Sequence, residues 1–142
     1  MKKHLKASVE KRLRSDEAVG AFLSGGIDST LVTSMMAEIS SKKIKTFSIG
    51  FSEGEFNEAP VAKSLADYLK TEHFEKIISP QDLLSEVDKI FDYYDEPFAD
   101  SSQIAVSILS EFSQPHARVV LSGDGADELF FGYDSISNVC YF

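Results

Sequence analysis

Apolar and polar residues change their period several times along the chain, and each change predicts a new element. Leu5, Val9 and Leu13 recur at every fourth residue among charged side chains, which predicts an amphipathic helix that ends near Ser15. The run 18–23 is short and continuously apolar, as in a strand covered on both faces of a parallel sheet. After two glycines a helical stripe follows. Its apolar members are Leu31, Met35, Met36 and Ile39.

The middle of the chain alternates between the same two patterns. Residues 44–51 and 73–78 are predicted strands. Residues 57–69, which lie between them, are predicted to form a helix with Asn57 as its N-cap. A strand, a helix and a second strand in this order are typical of a parallel sheet.

The last part of the chain begins with a helix-start signal. Ser79 followed by Pro80 combines a capping residue with a proline in the first turn, so a helix is expected to begin there and to end before Pro97. A further helix and a last strand are then predicted: the helix from Ser101 or Ser102 to about Ser113, and the strand over 117–121.

The alternation of strands and helices predicts the fold class. It indicates an α/β fold, a doubly wound parallel sheet with helices on both faces, in which ligands bind beyond the carboxyl ends of the strands. Two glycine-rich segments, after Leu23 and after Leu121, lie at such ends. No linker or repeat divides residues 1–142, so one domain is expected.

Charge and cysteine content narrow the function classes. The formal net charge of −9 argues against broad electrostatic binding to nucleic acid or an anionic membrane. A phosphate ligand would therefore have to be held by backbone N–H groups, a helix N-terminus or a metal ion. The single cysteine, Cys140, excludes an internal disulfide and a cysteine-based metal site. Without an apolar signal core or a run of membrane-spanning length, the protein is predicted to be cytoplasmic.

The segment Ser24-Gly25-Gly26-Ile27-Asp28-Ser29 joins the first predicted strand to a helix. Two glycines allow positive φ and close approach of a ligand to the backbone, and the N–H groups at the helix start favour an anion. The hydroxyls of Ser24 and Ser29 would add donors, and the Walker A spacing is absent. The structural alternative is a tight turn in which Asp28 only complements the helix dipole.

Two segments of the chain resemble known signatures. Residues 24–29 resemble the SGGxDS motif of the PP-loop ATP pyrophosphatases, which adenylate a substrate and release pyrophosphate. Residues 120–133 read VLSGDGADELFFGY and resemble a stretch of the asparagine synthetase family; residues 47–51 and 95–103 are also similar to that family. The likeness extends from the first helix to Tyr133 and is to the synthetase domain of the glutamine-hydrolysing type.

The resemblance implies a site for ATP and Mg²⁺. Asp28 and Asp127 would lie on opposite sides of the phosphates, where hard carboxylate oxygens suit Mg²⁺, and together with Asp124 they are the implied catalytic residues. The implied contacts of ATP and its pyrophosphate are Leu23, Ser24, Gly25, Gly26, Asp28, Ser29, Ile49, Ser122 and Gly123.

Within this set, Leu23 and Ile49 are implied to lie on the adenine side, and Ser122 and Gly123 on the ribose side. The alternatives are apolar core positions for Leu23 and Ile49, and a solvated acidic turn for residues 124–128.

Asp100, Ser101 and Ser102 could face an amino-acid substrate, although a serine here is also the expected cap of the next helix. His73 is expected to be a strand residue. His4 and His116 have no surrounding pattern that assigns them a role.

The implied reaction is adenylation of the side-chain carboxylate of aspartate by ATP, followed by attack of ammonia, to give asparagine, AMP and pyrophosphate. Neither the family's N-terminal glutaminase domain nor a later lysine of its synthetase domain is found in the sequence. A C-terminally incomplete synthetase domain is therefore expected, with ammonia from solution or from a separate glutaminase.

Asp124 stands where asparagine-forming members usually carry glutamate, which leaves a different carboxylate substrate open. The alternatives are another PP-loop adenylating amidotransferase and a truncated ATP-binding module without catalysis. The sequence leaves turnover by this chain alone, and a homo-oligomeric state, undecided.

Overall fold

A computed structural model describes residues 1–52, 57–96, 100, 102–130 and 132. Six helices and four strands lie within these ranges, and all of them except the last short helix are predicted from the sequence. They are α1 (Lys2–Arg12), β1 (Val19–Phe22), α2 (Ile27–Ile39), β2 (Lys45–Phe51), α3 (Ala59–Leu69), β3 (Glu72–Ile78), α4 (Pro80–Tyr93), α5 (Gln103–Ser113), β4 (Val119–Leu121) and α6 (Ala126–Phe130).

The four strands form one parallel sheet in the order β3-β2-β1-β4. Ala21 of β1 is paired with Thr46 of β2 on one side and with Leu121 of β4 on the other. The loops that follow β1 and β4 therefore leave the sheet from the same edge, side by side.

Both faces of the sheet are covered by helices. On one face, Ala21 packs with Val9 of α1 and Met36 of α2, while Leu23 packs with Ala62 and Ala66 of α3. Ala21 and Leu23 share this face because successive side chains of a strand point to opposite faces, so that every second side chain lies on the same side of the sheet.

The opposite face is built around Phe47, which is fully buried. Its ring lies 5.4 Å from that of Phe74 and 6.4 Å from that of Phe112 in α5. Leu109 of α5 and Ala117 complete this cluster. Helices on both faces confirm the predicted doubly wound α/β fold.

The starts of α4 and α3 test the predicted capping residues, and only the first prediction is confirmed. At α4, the Ser79 side chain accepts a hydrogen bond from the Asp82 N–H (3.3 Å), and Asp82 accepts one from the Ser79 N–H (2.7 Å), so the predicted start is a capping box. The predicted N-cap Asn57 of α3 is wrong by one residue. Glu58 occupies that position, because the Asn57 side chain instead accepts from the Ala59 N–H (3.1 Å) in a turn that precedes the helix.

The start of α5 and the end of α4 were predicted from residues that the structure describes only in part. Ser102 is in the N-cap position, but its side chain makes no capping bond. Pro97 and Ser101 lie outside the described residues. Within the described part of the chain, no helix has the length and apolar character needed to cross a bilayer.

Candidate functional site

The crevice between the ends of β1 and β4 is the topological switch point of the sheet. The chain passes from β1 through α2 to β2 on one side, whereas β4 pairs with β1 on the other. Ligands of open parallel sheets bind outside the carboxyl ends of strands at such a point. The loops that begin at Ser24 and at Ser122 flank this crevice.

The first loop has the backbone geometry that its glycines predict. Gly25 has a φ of +94°, in the left-handed region. A Cβ atom on Gly25 would also lie 3.1 Å from Cγ1 of Val61 in α3. Gly26 occupies the N-cap position, and α2 begins at Ile27.

The two serines of this loop bond to the loop itself. The Ser29 hydroxyl lies 3.0 Å from the Ser24 hydroxyl, accepts from the Ser24 N–H (3.3 Å) and donates to the Gly26 carbonyl (3.3 Å). Ser24 Oγ accepts from the Gly26 N–H at 3.2 Å. Ser29 is buried and Ser24 is exposed, so of these two hydroxyls only that of Ser24 is accessible to a ligand.

Asp28 is the second residue of α2 and is half-buried. Its carboxylate lies at the positive end of the helix dipole, where negative charge is stabilised. The N–H groups of Ile27 and Asp28 belong to the first turn, for which a helix offers no acceptor of its own. Donors and a carboxylate thus share one helix end.

The second loop is a compact acidic turn. The Ser122 hydroxyl donates to Asp124 Oδ2 at 2.8 Å, and the Gly123 carbonyl accepts from the Ala126 N–H at 3.3 Å. Gly125 has a φ of +86°. The short helix α6 follows, with the half-buried Asp127 in its first turn, while Asp124 is exposed.

The two loops are in contact through Gly123. A Cβ atom built on this glycine would lie 2.9 Å from the Ser29 backbone nitrogen, 3.0 Å from Asp28 Cβ and 3.2 Å from the Asp28 carbonyl carbon. Real Cβ atoms essentially never come within 3.0 Å of such atoms. The turn after β4 therefore lies directly against the first turn of α2, a contact that sequence reasoning missed.

The two residues predicted to lie on the adenine side, Leu23 and Ile49, both pack in the apolar layers beside the sheet. Leu23 is 1% exposed and packs against α3, so its side chain belongs to the core. Ile49 is half-buried and packs against the cluster around Phe47. The ligand roles of both residues remain predictions.

His73 is a strand residue, as expected, and it takes part in a polar cluster under α3. Its Nδ1 lies 3.0 Å from Thr46 Oγ1 and its Nε2 lies 3.2 Å from Ser48 Oγ. Burial lowers the pKa of His73 below its usual value, and the nearby Lys63 adds to this, against the opposing effect of Glu75. The register of β2 and β3 places these side chains together, which the sequence pattern alone does not reveal.

Asp100 and Ser102 bond to each other. Asp100 Oδ1 accepts from the Ser102 hydroxyl (2.7 Å) and from the Ser102 N–H (2.8 Å), and these bonds lower the pKa of Asp100. Their suggested role toward an amino-acid substrate remains a prediction.

Among the described residues no group of three or more His, Cys, Asp or Glu side chains could enclose a metal ion. Mg²⁺ does not require such a group, since it is commonly held by one or two carboxylates together with phosphate and water oxygens. The donor set of Asp28 and Asp127 fits that kind of binding.

The fold is shared with two solved structures of synthetases. An NMN synthetase from Francisella tularensis aligns with 94% of this chain and 58% of its own, at a TM-score of 0.63 and 19% identity. An NH3-dependent NAD synthetase from Campylobacter jejuni, solved with a nitrate ion, aligns with 93% of this chain and 58% of its own, at a TM-score of 0.62 and 22% identity. The chain therefore shares the parallel α/β fold of these two synthetases.

The chain belongs to the asparagine synthase family, whose model matches residues 1–139. It is 44% identical over 127 residues to asparagine synthetase (glutamine-hydrolyzing) 1 of Bacillus subtilis, covering 89% of this chain and 20% of that protein. A Methanocaldococcus jannaschii relative that carries an asparagine synthetase name is 47% identical over 133 residues, covering 93% of this chain and 26% of its own. The chain thus spans about a fifth to a quarter of the length of these relatives.

Proposed function

We propose that this chain forms the ATP site of an amide-forming ligase that adenylates the side-chain carboxylate of aspartate and transfers ammonia to it. The observation that carries this proposal is the contact between Gly123 and the first turn of α2, because it joins the two family segments at the switch point of the sheet. Each loop alone would be compatible with an ordinary turn.

The first stage is attack of the aspartate carboxylate on the α-phosphorus of ATP, which releases pyrophosphate. The N–H groups at the start of α2 and the Ser24 hydroxyl are donors for the negative charge that grows on the leaving group. They are held in place before ATP arrives, because Ser29 bonds to the loop at 3.3 Å or less. Preorganised donors of this kind stabilise a transition state without rearrangement.

Asp28 and Asp127 would hold Mg²⁺ against the phosphates. When bound, this ion would neutralise charge on the departing pyrophosphate. In the second stage ammonia, from solution or from a separate glutaminase, displaces AMP from the acyl-adenylate to give asparagine. Asp124 would face the substrate amine from the exposed side of its turn.

Aspartate-dependent exchange of labelled pyrophosphate into ATP tests this function, because it reports adenylation without needing the ammonia step. We expect exchange in the presence of aspartate and Mg²⁺, and its loss in Asp28→Asn. If only another carboxylic acid supports exchange, that acid and not aspartate is the substrate, and the protein is a different PP-loop amidotransferase. Mg²⁺-dependent ATP binding without exchange under any acid would indicate a non-catalytic ATP-binding module.

A further inference from the structure

Gly123 and Gly125 lie in the same turn, but glycine is favoured at the two positions for different reasons. Gly125 has a φ of +86° with no atom within 4 Å of the place where a Cβ would lie. Gly123 is not among the residues with positive φ, yet its Cβ would meet three atoms of α2 at 2.9–3.2 Å. Position 125 favours glycine for its backbone conformation, which asparagine can also adopt, whereas position 123 needs the small size of glycine.

The atoms that surround Gly123 cannot yield to a side chain. The Ser29 nitrogen and the Asp28 carbonyl carbon are backbone atoms of the first turn of α2, and Asp28 Cβ is fixed to that backbone. On the other side, β4 cannot retreat easily, because Val119, Val120 and Leu121 are paired with β1. A side chain at Gly123 would therefore have to move the start of α2.

A displacement of Ser29 would change the conformation of the whole first loop. The Ser29 hydroxyl bonds to Ser24 N and to the Gly26 carbonyl, each at 3.3 Å, and lies 3.0 Å from Ser24 Oγ. It thereby connects the start of the loop to the start of the helix. A contact that fixes the position of Ser29 therefore also fixes the start of α2, to which the N–H groups and the Asp28 carboxylate are attached.

We infer that Gly123 is a positioning residue, which sets the place of the pyrophosphate-binding loop by direct contact with Asp28 and Ser29. This contact makes the two loops one preassembled unit. This inference rests on the proposed function, because it names the subsite that the contact supports. It differs from the ribose contact that the family resemblance implies for Gly123, since it ties this residue to the pyrophosphate end.

A role at the pyrophosphate end and a role at the ribose can be distinguished by measuring the binding of each half of the nucleotide separately. Inorganic pyrophosphate with Mg²⁺, and adenosine, are titrated calorimetrically into the full chain as wild type, Gly123→Ala and Gly125→Asn. In Gly123→Ala we expect the pyrophosphate affinity to fall at least tenfold and the adenosine affinity to stay within twofold. Gly125→Asn is the matched control, because asparagine tolerates the left-handed region and the space there is free, so both affinities should be kept.

Loss of adenosine binding with pyrophosphate binding retained would overturn the inference in favour of a ribose contact. Equal loss of both in a folded variant would overturn it in favour of a general structural role. Wild-type protein that binds no pyrophosphate would overturn the proposed function instead. If Gly123→Ala does not fold, the contact can still be tested in the wild-type protein. We expect a nuclear Overhauser effect between the Gly123 Hα protons and the Ser29 amide proton. Its absence would overturn the inference.

Discussion

The Ser29 hydroxyl lies 3.0 Å from the Ser24 hydroxyl and accepts a hydrogen bond from the Ser24 N–H at 3.3 Å. These two residues begin and end the segment that resembles the PP-loop signature. Because Ser29 is buried and bonded within the loop, its first role is to hold the loop in shape. Ser24 is exposed and remains available to a ligand.

Replacing Ser29 by alanine tests this division. We expect Ser29→Ala to reduce the free energy of unfolding by about 1–2 kcal/mol, because the Ser24 N–H loses its acceptor. Pyrophosphate affinity should fall about tenfold, equivalent to about 1.4 kcal/mol. Chemical denaturation and calorimetric titration measure the two effects. Ser34→Ala is the control, because Ser34 lies on the same helix and donates to the carbonyls of Thr30 and Leu31 within that helix. Equal effects of the two variants on affinity would contradict the prediction.

Asp28 should matter more for ligand binding than for folding. Asp28→Asn removes a carboxylate from the N-terminus of α2, for which we expect a loss of only about 0.3–1 kcal/mol of stability. Mg²⁺-dependent ATP affinity should fall by about tenfold or more, because one of the two carboxylates proposed for the metal is gone. Titration of ATP at several Mg²⁺ concentrations measures this. The exposed Asp16 provides the control variant Asp16→Asn, and similar losses in both variants would point to net charge instead of the site.

The polar cluster at His73 predicts a pH dependence of stability. Burial lowers the pKa of His73 in the folded protein, so the unfolded chain binds a proton more readily. The stabilisation is therefore complete above the ordinary pKa of 6.5 and is lost progressively as the pH falls below it. Denaturation curves recorded across this range should show a weaker dependence on pH in His73→Gln.

The exposed His4 provides the control variant His4→Gln, which removes a histidine that lies outside the buried cluster. A His73→Gln profile that runs parallel to that of the wild type would show that other groups cause the acid sensitivity.

Phe47 should be essential for the face of the sheet that α5 covers. It is fully buried and contacts Phe74 and Phe112, so Phe47→Ala is expected to cost about 3–5 kcal/mol by leaving a cavity. Phe91 is 69% exposed, and Phe91→Ala should change stability by less than about 0.5 kcal/mol. Thermal and chemical unfolding measure the difference, and comparable losses would mean that the core is not centred on Phe47.

Much of the fold could be predicted because its signals are local. The continuous apolar run at 18–23 contains β1, the spacing of Leu5, Val9 and Leu13 predicts α1, and the Ser79-Pro80 pair gives the start of α4. The error at Asn57 is of one residue, because two adjacent polar residues can serve the start of a helix and only the backbone conformation selects one. The short helix α6 was not separated from the acidic turn, since five residues carry too little periodicity.

The sequence by itself determined every element except α6, the glycine-rich ends of two strands and the chemistry of the residues that follow them, because periodicity and residue type are properties of neighbouring positions. Only the tertiary structure decided that β4 pairs with β1, that Gly123 lies against Asp28 and Ser29, and that the Ser29 hydroxyl points into its own loop. These relationships depend on strand pairing between distant parts of the chain and on distances of a few tenths of an ångström, neither of which a local pattern encodes.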